Sequence, residues 1–340
     1  DFPARVMKRI LLSGGTGFLG GHVVATLRAR GMEVVGLRRD EAADEKGITW
    51  ARGDVLDAES VKRAAAGCDG AIHCAGLVSR SPEDAEALRR VHVLGTRRFL
   101  DGCEAAGIAR VAIASTSGVV AVSEEADRVS TEDDETPYAL VNQWPYYRAK
   151  LWAEEEALRR SRPGFEVVAV SPSLLLGPGD ARGSSTDDVR LFLEGKVAAI
   201  PSGGLSYVDA RDAAVALVLA LTRGAGGRRY LVGASNVTLR EFFARLERVS
   251  GVRGPWAPLP KEATRAAGAL LERLAAAVGK QPDVDAHSLE LATYYWYVDS
   301  SRAEQELGWS PRDPVTTLAD TVADLRARGV VWPRATPGAA

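Results

Sequence analysis

With 340 residues, 46% hydrophobic and 26% charged, the chain can bury a sizeable core and has the make-up of an ordinary globular protein. Its 43 basic and 45 acidic residues leave a formal charge of −2, without the basic footprint of a nucleic-acid or anionic-membrane binder. Cys68, Cys74 and Cys103 are widely spaced and form no CxxC pair, which speaks against a disulfide framework or a zinc site and for a reducing, cytoplasmic setting. No apolar run reaches the ~18 residues of a membrane span. The N-terminus lacks the charged, apolar and small-residue order of a signal peptide, and residues 1–6, DFPARV, are read as an appended remnant outside the fold.

From Met7 onward, short aliphatic runs alternate with amphipathic stretches, as strands joined by helical crossovers do. The predicted strands are RILLS, EVVGLR, ITWAR, GAIHCAG, RVAIAST and FEVVAVS, and the predicted helices between them span 19–30, 58–66, 82–106 and 146–160. This order predicts an α/β fold, a Rossmann-type doubly wound parallel sheet. After residue 172 comes SPSLLLGPGDARGSSTDD, a loop of Gly, Pro, Ser and Asp. A helix near 189–194, the helix DARDAAVALVLAL, the strand RRYLVG and the helix TLREFFARLERVSG follow. The remainder to about 290 is alanine-rich, with Arg265, Glu272 and Arg273 marking an amphipathic surface helix. The expected organisation is a dinucleotide-binding domain over 7–172, to which segments near 205–232 return. A smaller, mostly helical substrate-binding region then covers 173–204 and 233–330.

RILLSGGTGFLGGHVVATL places a buried strand, then Gly14, Gly17 and Gly20, then an amphipathic helix. Gly14 allows a tight turn, Gly17 lets backbone amides approach a pyrophosphate, and Gly20 lets the helix lie close on the strand. Thr16, Phe18 and Leu19, set between and beside these glycines, share the expected cofactor contact. The second strand ends in Arg38 and Arg39, whose guanidinium groups suit a ribose 2′-phosphate and favour NADP. Asp40 behind them suits an NAD ribose, so NAD stays open. Asp54, followed by Val55, is placed to accept from an adenine amino group, although an Asp at a strand end also serves as a turn cap. Ala75 and Gly76 let backbone pass close to the cofactor, while His73 reads as a packed, hydrogen-bonded core imidazole.

QWPYYRAKLWAEEE opens a helix with Tyr146 four residues and Tyr147 three residues before Lys150. Either phenol can reach the ammonium, and such a pair can move a proton to or from a carbonyl oxygen. Spacing alone does not choose between them.

The ordered set SGGTGFLG, GDVLD, IHCAG, ASTSGVV, YYRAK, SPSLLLGPGD, GGLSYVDARDAA and VDSSRAEQELGWSPR resembles the extended short-chain dehydrogenase/reductase superfamily. The likeness runs from Met7 to about residue 328, nearest to its dihydroflavonol-4-reductase-like and epimerase/dehydratase members. The resemblance implies Tyr146 and Lys150 as the catalytic pair and Ser117 as the active-site serine, with Thr116 its substitute one register earlier. It further implies Ser115 beside the nicotinamide, and Pro172, Leu174 and Leu175 closing over that ring. Lys150 is expected to hold the nicotinamide ribose and lower the tyrosine pKa. The chain departs from the family at His92, where asparagine is common, and at Ser171, where arginine is common.

These features imply an NADP-preferring ketone reductase or alcohol dehydrogenase acting on a small, largely apolar molecule. An NAD-dependent nucleotide-sugar epimerase or dehydratase is the alternative, with Arg253, Lys261 and Arg265 available to phosphate. A non-catalytic NAD(P)-binding regulator is a third class, disfavoured by the presence of Ser117, Tyr146 and Lys150 together. Val78, Gln143 and Trp144 suggest an apolar substrate end, and TYYWYV (293–298) is expected to pack as core. The helices 82–106 and 146–160 offer a four-helix interface for a homodimer.

Overall fold

The computed structural model describes residues 7–41, 47–255, 257–264 and 286–331. The stretches 1–6 and 265–285, with Arg265, Glu272 and Arg273, lie outside the described residues. Thirteen strands are described: β1 Arg9–Ser13, β2 Glu33–Arg38, β3 Ile48–Arg52, β4 Gly70–His73, β5 Arg110–Ala114, β6 Glu166–Pro172, β7 Leu174–Leu176, β8 Ile200–Pro201, β9 Gly204–Asp209, β10 Arg229–Val232, β11 Ser235–Thr238, β12 Pro258–Leu259 and β13 Tyr295–Trp296.

Seven of them form one sheet in the order β10-β6-β5-β4-β1-β2-β3, with every neighbouring pair parallel. Parallel strands covered on both faces are apolar on both, and β1 shows how the sides divide. Ile10 and Leu12 join the core beneath the helices Phe18–Ala29 and Ala210–Arg223, whereas Leu11 joins the core beneath Ala58–Ala65 and Gly95–Ala105. Chain order reverses between β1 and β4, and a ligand crevice opens where such neighbours diverge at their carboxyl ends.

Among its described residues, the second part of the chain holds short strands as well as helices. β11, β9 and β13 form a small sheet, with β7 also paired to β9, and the two-residue strands β8 and β12 pair separately. Of the 205–232 stretch, the helix Ala210–Arg223 and β10 pack with the large sheet, while β9 belongs to the small one. The helices Asp187–Leu193, Leu239–Ser250 and Pro314–Ala327 cover a separate core around Phe192, Tyr207, Phe242 and Leu318.

The single helix expected over 82–106 is instead four joined pieces. A 3₁₀ turn at Pro82–Asp84 and the helix Ala85–Leu88 lead into a π-helical stretch, Arg89–Leu94, before the helix Gly95–Ala105. The wider turn carries His92, 3% exposed, against the loop after β4.

Candidate active site

The glycine loop is shaped by what its side chains lack. Gly14 has φ +75°, and a Cβ there would lie 2.5 Å from Ala75 N; at Gly20 a Cβ would lie 1.9 Å from Gly14 O. Only glycine permits both approaches, which bring β1, β4 and the first helix together. Gly17 begins the helix Phe18–Ala29 with no side-chain cap and no acidic residue in the first turn. Its first amides and the positive end of its dipole are therefore available to an anion. Ser13 Oγ bonds His73 Nδ1 at 2.6 Å and accepts from Ala75 N at 3.3 Å, tying the two strand ends.

These residues line one end of a cavity of about 590 Å³, with Gly14, Thr16, Gly17, Phe18, Leu19 and Gly20 on its wall. Gly76, Ser115, Tyr146, Lys150, Pro172 and Leu175 line the same cavity. Tyr146 and Lys150 stand one turn apart on the helix Pro145–Arg159 and so share a face. Tyr147 turns away: its ring stacks on Trp296 at 5.0 Å and covers Gly118, where a Cβ would collide with it at 2.2 Å.

Tyr146 meets His92 edge-on at 5.8 Å. Burial raises the Tyr146 phenol above its ordinary value, so the lowering expected from Lys150 is not found. The Lys150 ammonium is turned instead to the Ala114 carbonyl, 2.8 Å away, and burial brings its own pKa down to about 8. His92 donates to Leu77 O at 2.7 Å. Burial, and next Lys150, bring His73 and His92 to about 3, so both are neutral near neutral pH. His73 also bonds Thr96 Oγ1 at 3.2 Å and stacks on Phe99, the packed imidazole its sequence suggested.

The strand-end hydroxyls separate. Ser117 opens a 3₁₀ turn, is 4% exposed and lies off the cavity, because the chain has already bent away from β5. Ser115 Oγ is buried on the cavity wall without a hydrogen-bond partner in the protein, and half-buried Thr116 caps the turn by accepting from Gly118 N at 3.4 Å.

Other expected residues stand apart from this wall. Arg38 lies over the Trp50 ring at 5.2 Å, with Arg39 and Asp40 exposed beside it. Asp54 Oδ1 accepts from Leu56 N at 2.9 Å, the turn-capping role, and Val55 packs toward Gly95. Ala75 takes part through its backbone, and Leu174 is held in β7 opposite Tyr207. Trp144 is 1% exposed inside an aromatic cluster with Tyr147, Tyr294 and Trp296, so it packs core and does not face a substrate. Gln143 is exposed and donates to Ala139 O, whereas Val78 does line the cavity. Lys261 pairs with Glu124 at 2.6 Å, and Arg253 is exposed.

Sequence reading missed the outer wall. Arg80 bridges Asp188 at 3.0 Å and donates to Ser288, joining the loop after β4 to the helix Asp187–Leu193. Asp180 takes the amides of Ser184, Ser185 and Thr186, which pins the loop bearing Arg182 against the glycine-loop end; His22 donates to Pro178 O at 2.9 Å from the other side. An Asp four to six residues before a Ser-Ser-Thr run was the available signal.

The uncapped helix start, the glycine cradle that a Cβ would fill and the unpartnered Ser115 hydroxyl fit a nicotinamide dinucleotide. A Rossmann sheet that brings such a loop into one cavity with a tyrosine–lysine pair defines the NAD(P)-dependent oxidoreductase class of the extended short-chain dehydrogenase/reductase superfamily. Residues 10–233 match the NAD dependent epimerase/dehydratase family, and the chain belongs to it. It is 31% identical over 329 residues to a putative dihydroflavonol 4-reductase of Synechocystis sp., covering 94% of this chain and 95% of that protein. It is 30% identical over 328 residues to sterol demethylase protein B of Methylococcus capsulatus, covering 94% and 99%. Among solved structures, gox2253 superposes with a TM-score of 0.82 at 26% identity, over 96% of this chain and 100% of that one. Among the described residues no helix is long and apolar enough to cross a membrane.

Proposed function

We propose that the protein is an NADP-preferring reductase that converts a small, largely apolar ketone to an alcohol, or runs the reverse reaction, with Tyr146 as the proton donor. One observation carries this reading: Tyr146 and Lys150 stand on the wall of the cavity whose other end is the glycine loop. The nicotinamide supplies the hydride when bound. The amides at Gly14 to Gly20 would hold its phosphates, and Lys150 would hold the ribose next to the ring. Tyr146 Oη, with a hydroxyl from the Ser115–Thr116 pair, binds the substrate oxygen, and Tyr146 delivers the proton as that oxygen gains charge. The neutral phenol, held protonated by burial, is the form an acid needs.

Arg39, exposed beyond β2, and Arg38, braced on Trp50, support a 2′-phosphate and so NADP. Leu77, Val78 and Leu191 support an apolar substrate end, beside the charged Arg80, Arg182 and Asp188 on the same cavity lining. The test is to identify and titrate the nucleotide carried by the purified protein. Weak, exchangeable NADP(H), with NADPH consumed on addition of simple ketones, is expected. Tightly held NAD, with no net oxidation or reduction, would contradict the proposal in favour of an epimerase or dehydratase.

A further inference from the structure

Beside the Tyr146–Lys150 face, sharing Lys150 and Ser115 with the main cavity, lies a second small space of about 10 Å³, room for about one water molecule. β4 contributes His73 to its wall, the π-helical stretch His92, the end of β5 Ser115, and the helix Pro145–Arg159 both Lys150 and Glu154. Glu154 is fully buried and stands four residues beyond Lys150, on the same helix face. Ser171 Oγ on β6 donates to its Oε2 at 2.9 Å, and Arg229 Nη2 on β10 stands 2.7 Å from its Oε1. Ser171 and Arg229 thus hold the two oxygens of the Glu154 carboxylate from two adjacent strands. Burying a carboxylate is costly even when paired, and the reaction described above gives this one no part.

We propose that Glu154 is a positioning residue for Lys150, the carboxylate that, paired with Arg229, keeps this lysine cationic on the inner wall of the cavity. The inference rests on the part given to Lys150 above.

The other groups that face Lys150 leave this task to Glu154. From β4 come His73 and Cys74, and from the π-helical stretch His92; burial takes the imidazoles to about 3 and the thiol to about 12, so all three are uncharged at neutral pH. Burial likewise keeps Tyr146, on the same helix, a neutral phenol. From β5 come the Ala114 carbonyl and the Ser115 hydroxyl, which are dipoles. Among the described residues, the chamber is bordered by one anion, Glu154, with Arg229 behind it as counter-charge. Burial lowers Lys150, and Cys74 and then Glu154 oppose the fall, although burial keeps the Cys74 thiol uncharged at neutral pH. The carboxylate and the guanidinium therefore act on the lysine with opposite sign.

The test is an NMR titration of the full chain carrying ¹³C-labelled lysine, without cofactor or substrate, with the Lys150 signal assigned by its loss in Lys150→Arg. The wild-type midpoint is expected near 8. Glu154→Gln should lower it by roughly one unit, Glu154→Asp should leave it nearly unchanged, and Arg229→Gln should raise it. If Glu154→Gln does not fold, the upward shift in Arg229→Gln carries the test. Midpoints that do not move, or that move the same way in the Gln variants, would overturn the inference. Opposite shifts in a protein that shows no oxidoreductase turnover would uphold it and overturn the functional reading, so the two failures are distinct.

Discussion

The glycine loop offers backbone amides and missing side chains, whereas the Tyr146–Lys150 end offers side chains positioned by several strands at once. The first end is built within the stretch from β1 to the start of the next helix, with β4 as backing. The second needs the aromatic packing of Trp296 on Tyr147, the bend after β5 and the π-helical stretch that presents His92. A short motif therefore suffices for the proposed cofactor end, while placement of the proposed proton donor depends on the whole fold. Each end should respond to substitution in its own way.

The largest effect is expected at the side-chain end. Tyr146→Phe should lower kcat by roughly 10²–10⁴-fold with NADPH affinity unchanged, since the phenol moves a proton and does not hold the phosphates. Tyr147→Phe should stay within a few-fold of the wild type; both follow from steady-state rates and a fluorescence titration of NADPH. At the backbone end, Gly20→Ala forces a Cβ to within 1.9 Å of Gly14 O, so cofactor affinity and melting temperature should both fall. Gly21→Ala, with nothing within 4 Å of the new methyl, should stabilise by about 1 kcal/mol and leave affinity intact.

The hydroxyls sharpen the comparison further. Ser115→Ala and Thr116→Ala should each cost about tenfold in kcat, about the loss of one hydrogen bond to a charged oxygen, while Ser117→Ala should leave turnover nearly unchanged. Arg39→Ala should reduce the ratio of NADP to NAD affinity by about tenfold, read by titration with each nucleotide.

The remaining effect is on stability against pH. His73 and His92 titrate near 3 in the fold against 6.5 when free, so between these values the unfolded chain binds more protons. Their contribution is complete above pH 6.5 and is lost as pH falls toward 3. Melting temperature should drop over that window, and less steeply in His73→Gln.

β1, β2 and β3 were legible to the residue, because buried aliphatic runs bounded by turns leave little freedom. The glycine loop was legible for the same local reason, each glycine answering a contact a few residues away or on the adjacent strand. β7, β8, β12 and β13 were not, being two or three residues long and defined by their partners alone. Nor was the π-helical stretch, since widening a turn changes the backbone register without changing the apolar pattern of the side chains. Spacing left Tyr146 and Tyr147 level; what separates them in space is Trp296 and the bare Gly118, contacts that no helical periodicity encodes. The serine run divides in a way the resemblance did not indicate. Ser117, assigned from the resemblance alone, sits in a 3₁₀ turn off the cavity lining, while Ser115 stays on its wall.

The most direct measurement is a crystal structure of the protein with NADP(H). The expected result has the pyrophosphate on the amides of Gly14 to Gly20 and the Tyr146 hydroxyl facing the reactive edge of the nicotinamide, with Lys150 on its ribose. A nicotinamide seated away from Tyr146, or a dinucleotide bound elsewhere than at the glycine loop, would contradict the account.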